Sequence, residues 1–74
     1  MNHQHRTTGC VGQVTHLDLH LGMLALENRS DNKNYEIEFS RALPIPDNLM
    51  VGSQVEISAV FSGTGYQARR ITMK

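Results

Sequence analysis

Three side chains able to bind a metal or move a proton stand at alternate positions of "HLDLHLG" (16–22). They are His16, Asp18 and His20, with Leu17, Leu19 and Leu21 between them. On a flat strand each residue rises ~3.3 Å, so the two histidines would stand ~13 Å apart at the backbone. Zinc–nitrogen bonds of ~2.0–2.1 Å cannot gather both imidazoles from there. Only His16 with Asp18, or Asp18 with His20, could share an ion, and two ligands leave it weakly held. The alternative is a turn, in which the Asp18 carboxylate accepts backbone N–H bonds and Gly22 takes a positive φ. The strand spacing downstream favours the turn, so no metal site is expected here. The turn leaves Leu19 or Leu21 partly exposed, at a cost the sequence does not explain.

Other candidate chemistry is sparse. A free Met1 amine, two amide nitrogens and His3 would make a tetragonal nitrogen set suited to Cu(II) or Ni(II). "GTG" (63–65) precedes a strand pattern rather than a helix, so it reads as a hairpin turn and not a phosphate loop. Cys10 has no evident base, and "GSQV" lacks the Gly-x-Ser-x-Gly elbow. Glu36 and Glu38 share an exposed strand face, where carboxylates serve solubility. No enzyme activity and no cofactor are expected.

The chain has 74 residues, and a domain of that size buries only ~60–65% of its unfolded surface. Cys10 is the only cysteine, so no internal disulfide can staple the core. A lone thiol suits a reducing compartment. The start "MNHQHRTTG" lacks a signal-peptide apolar run. For a whole gene product these features predict a cytoplasmic location, with no membrane association. Seven Lys and Arg balance seven Asp and Glu, so no global positive charge draws nucleic acid.

Elements follow from period-two patterns. "NYEIEFS" (34–40) puts Tyr35, Ile37 and Phe39 on one face; "QVEISAVF" (54–61) does the same with Val55, Ile57, Ala59 and Phe61. Three further strands are expected. One covers 9–16, with a bulge near Gly12 to reconcile Val11 with Val14. The second covers 22–28, with Leu24 and Leu26 inward, and the third 66–73, with a bulge near Arg69 and Arg70. Pro44 and Pro46 forbid a long helix in 41–53, leaving an irregular link or one helical turn capped by Asp47. Residues 1–8 are expected to be a flexible tail and 9–74 a single domain. Five short strands predict an all-β, five-stranded OB-like barrel, because closure removes exposed edges.

The order "GQVTHLD…GMLALEN…YEIEFS…LMVGSQVEISAVF…GYQARRI" resembles small bacterial OB-like barrels, among them uncharacterised ones and the copper-chaperone barrels. The resemblance rests on Gly12 with Val14, on Val51 to Val55, and on Ala68 with Ile71, and spans residues 9 to 73. It implies a fold. The copper chaperones of this frame use a His, a Trp and a Met-x-Met pair. This chain has no Trp, and Met23, Met50 and Met73 lie apart, so that ligand set does not carry over.

The expected function is a non-enzymatic binding module for a protein partner or for a second copy, with Val60 on an outward face. The alternative is weak single-strand nucleic-acid binding by Arg29, Lys33, Tyr35, Tyr66, Arg69 and Arg70, opposed by Glu36 and Glu38. A metal-handling barrel is the third reading.

Overall fold

The alternation in 34–40 becomes a barrel wall: Ile37 and Phe39 turn inward while Glu36 and Glu38 face solvent. The computed structural model describes residues 7–63 and 65–74. It contains β1 (Thr7–Asp18), β2 (Met23–Asn28), β3 (Asn34–Glu38), β4 (Gln54–Phe61) and β5 (Tyr66–Met73). They close in the order β1-β2-β3-β5-β4. All neighbours are antiparallel except β3 and β5, which run parallel. Among the described residues no helix is long and apolar enough to cross a membrane.

β1 is the longest strand because it serves two neighbours. Thr7–Gln13 pair with β4 and Gly12–Asp18 with β2. It starts ahead of the expected Gly9; residues 1–6 of the expected tail lie outside the described residues. The bulge also differs from expectation. It falls between Val14 and His16, making Thr15 the extra residue, rather than near Gly12. Val11 and Val14 disagree in phase because Val11 faces outward, while Gly12 faces in, directly against the β2 backbone. The bulge expected in β5 is present: Ser58 pairs with Arg70 and Ala59 with Ala68, which leaves Arg69 unpaired.

The core gathers the inward phase of every strand: Val14, Leu24, Leu26, Ile37, Val55 and Ile57 are essentially inaccessible, and Ala68 and Ile71 of β5 are buried beside them. Phe61 is a correction. It keeps the inward phase of β4 but is 52% exposed, because β4 ends at the barrel mouth, where the Tyr66 ring packs on its last residue from one side and leaves the rest in solvent. Ser58, on the face opposite Ile57 and Ala59, is half-buried.

Of the two forms expected for the link after β3, the irregular one is present and the helical one is corrected, since no helical turn forms and Asp47 caps none. Separate turns replace it: Leu43 N–H donates to Ser40 O, Leu49 N–H to Pro46 O, and Ser53 N–H to Met50 O. Pro44 and Pro46 prevent these bonds from repeating as a helix. Leu49 is buried and Leu43 and Ile45 pack against the core, so the link plugs one barrel end.

Candidate functional site

The barrel presents two different ends. At one lie the β1–β2 turn (19–22) and the link; at the other lie the β2–β3 loop, the β4–β5 loop and the start of β1.

The link end is built on the turn in "HLDLHLG". Asp18 Oδ1 accepts the Leu21 N–H at 2.9 Å, and Asp18 O accepts the Gly22 N–H at 2.9 Å. Gly22 has φ +74°, as the turn requires. The Asp18 carboxylate is therefore a structural acceptor. His16 is an exposed strand residue opposite Ala25, and His20 lies in the turn. Among the described residues no three His, Cys, Asp or Glu side chains stand close enough to hold a metal. The tail with His3 lies outside the described residues.

The turn pushes Leu19 and Leu21 into solvent, at 57% and 72% exposure. Phe39 N–H donates to Gly22 O at 2.8 Å and fastens the start of the link beside the turn. Between them opens a groove of about 550 Å³. Leu19 and His20 of the turn line it together with Phe39, Arg41, Ile45 and Asp47 of the link. Sequence reasoning missed Ile45, Arg41 and Asp47, because a link without a repeating hydrogen-bond pattern leaves no periodicity to read. Its one signal was the unexplained exposure of leucines in a turn.

The mouth end carries three of the four aromatic residues, Phe39 being at the link end. Tyr35 and Tyr66 meet edge to face, with ring centroids 5.8 Å apart, and Phe61 joins Tyr66 at 5.1 Å. Below them a cavity of about 90 Å³ is lined by Cys10, Asn28, Tyr35, Ile37, Ala59 and Tyr66. Asn28 organises the loop. Its Oδ1 accepts the Ser30 N–H at 2.7 Å while its Nδ2 donates to Cys10 Sγ at 2.9 Å. Burial pushes the Cys10 thiol above its ordinary pKa, outweighing the Asn28 hydrogen bond that pulls it down. Cys10 is therefore a protonated thiol and a poor nucleophile at neutral pH.

Tyr35 donates its hydroxyl to the Asp31 carboxylate. That bond pushes the Tyr35 pKa up to about 12 and holds Asp31 below the usual carboxylate range. The two shifts bound a pH window. Tyr35 contributes stability below its ordinary value of 10, lost as pH rises through about 12. Asp31 contributes stability above its ordinary value of 3.8, lost as pH falls through its lowered one. In an ultraviolet titration, Tyr35→Phe is expected to remove a phenolate step near pH 12. Loss of a step at the ordinary value of 10 would contradict the bond.

The nucleic-acid set is only partly assembled. Tyr35 and Tyr66 touch, with Lys33 in the adjoining loop. Arg29 turns away, its Nη2 donating to Gln54 Oε1 at 2.9 Å. Arg69 and Arg70 lie further along β5, ~10–13 Å from Tyr66 at strand rise. Glu38 accepts from Gln67 Nε2 at 3.1 Å on the face between.

No protein-family model and no curated protein matches the chain. Among solved structures it is similar to apo-CusF residues 6–88 from Escherichia coli, with a TM-score of 0.82 and 14% identity. The match covers 96% of this chain and 90% of that one. The two chains share the small five-stranded barrel fold. At this identity the likeness concerns the fold alone.

Proposed function

We propose that the protein is a non-enzymatic binding barrel whose working surface is its link end, where it takes a polypeptide partner. The observation that carries this reading is the distribution of exposed apolar side chains. Of the large exposed hydrophobics, Leu19, Leu21, Met50 and Val51 lie in the turn and link, and Phe61 lies at the mouth. Leu19 lines the groove and Leu21 stands in the same turn, an exposed apolar pair beside an open groove of the kind that marks an interaction surface, whereas the Met50–Gly52 turn is fastened beside Val14 of β1. Val60, the earlier candidate for self-association, is half-buried and contributes less exposed surface than this end.

The test places a photo-crosslinking residue at position 40, in the groove, and as a control at position 36, on the outer face of β3. Irradiation in cells is expected to join a polypeptide to position 40 and not to 36, and Leu21→Asp should abolish the adduct. Absence of any polypeptide adduct at 40 would overturn the reading.

A second reading rests on the contact between Tyr35 and Tyr66. Paired rings flanked by Lys33 could stack bases of a single strand, at ~1–3 kcal/mol per base. Binding is expected to be weak. If Arg29, Lys33, Arg69 and Arg70 all met phosphates, log affinity would fall with log salt at a slope near ~−3. Replacing Arg69 and Arg70 with Ala should halve that slope, and Glu36→Gln should strengthen binding slightly. Fluorescence anisotropy of a labelled oligonucleotide measures both; tight, salt-insensitive binding would contradict this account.

A further inference from the structure

The link-end groove has a protrusion beside it that matches it in kind. Leu21 is 72% exposed at the tip of the turn that forms one groove wall. Phe39, Ile45 and Pro46 line the groove and offer an apolar seat for a branched aliphatic side chain. Its polar rim carries one cation, Arg41, and one anion, Asp47. Neither forms an ion pair among the described residues, where Lys74–Glu56 is the pair observed. Knob, seat, cation and anion thus lie on a single patch.

A patch of that composition is complementary to itself. In a two-fold contact, if residue i of one copy meets residue j of the other, then j of the first meets i of the second. Leu21 can then enter the partner copy's groove while Arg41 faces the partner copy's Asp47, and both contacts occur twice. A foreign partner would need to supply all these features independently. The formal net charge of zero leaves no long-range repulsion between copies. A chain this small also gains from burying a second apolar surface.

We infer that the partner of the link end is a second copy of this chain, docked about a two-fold axis with Leu21 in the facing groove and Arg41 against Asp47. This deepens the proposed function and rests on it. The test is sedimentation equilibrium of the full chain from about 5 μM to 1 mM, a range that resolves dissociation constants around micromolar and weaker. A reversible species of twice the 8.3 kDa chain mass is expected. Leu21→Asp should weaken it at least about tenfold, as for a central apolar anchor. Arg41→Glu and Asp47→Arg should each weaken it, and the double variant should restore it, because the swap rebuilds both cross-pairs. All these side chains are exposed, and amide NMR spectra check that each variant stays folded.

A chain that stays monomeric throughout would overturn the inference. So would a dimer insensitive to Leu21→Asp, or one that the charge swap fails to restore. The crosslink at position 40 separates the two levels. A monomeric chain that still gives a Leu21-dependent adduct to a different polypeptide ends the inference and leaves the binding reading standing. A monomeric chain with no adduct ends both.

Discussion

Gly12→Ala is expected to remove most of the stability of this barrel. A Cβ on Gly12 would lie 2.0 Å from Glu27 O, 2.9 Å from Glu27 C and 3.1 Å from Asn28 Cα. These are backbone atoms of β2, so no side-chain rotation relieves the clash. The strands would have to separate, and Gly12 is where β1 pairs with both neighbours, Asn28 on β2 and Val55 on β4. Overpacking that moves side chains costs ~1–3 kcal/mol, and moving backbone costs more. A chain of 74 residues has only ~4–11 kcal/mol in total. In urea, with a slope of ~1 kcal/mol per molar, the midpoint should fall by about 3 M or the variant should not fold. Gly9→Ala is the control on the same strand, since its added Cβ meets nothing within 4 Å. It should be close to neutral. Equal midpoints for the two variants would mean that β1 and β2 do not approach as described.

The contrast between Gly9 and Gly12 shows where sequence reading stops. Alternation in 34–40 and 54–61 gave the phase of two walls, and Leu24 and Leu26 gave a third, because period-two burial is a local property of a strand. The β5 bulge was legible for the same reason: Ala68 and Ile71 are both apolar and out of phase, so one residue must be extra. The turn at Asp18 was legible from side-chain chemistry. A close approach between backbones leaves no such trace. Val11 and Val14 disagree in phase, which suggests a bulge at Gly12, yet the disagreement comes from a half-buried Val11 on the outward face. Arg41 and Asp47 stayed hidden because their placement depends on how a proline-interrupted link crosses the barrel end, which no repeat encodes.

Phe61 separates phase from burial, and a pair of substitutions in β4 measures the difference. Ile57 and Phe61 share the inward phase of one strand, but Ile57 is inaccessible whereas Phe61 is 52% exposed. Ile57 pairs with Cys10 on β1 and Ile71 on β5, so its side chain fills the space between three walls. Ile57→Ala removes transfer energy and leaves a cavity that a closed barrel cannot collapse, at a cost of ~2–5 kcal/mol. For a domain of this size that lowers the melting temperature by at least about 10 °C. Phe61→Ala removes a larger side chain but loses only one edge-to-face contact, with Tyr66, and a surface already half in water. An aromatic pair of that kind is worth ~0.5–1.5 kcal/mol beyond area burial, so the shift should stay within a few degrees. Calorimetry on both variants reads the comparison directly. If Phe61→Ala cost as much as Ile57→Ala, the ring would be a core residue and the mouth would be closed. A small effect instead leaves Phe61, Tyr35 and Tyr66 as an open aromatic rim that stability does not require, the condition under which that end could still serve a ligand.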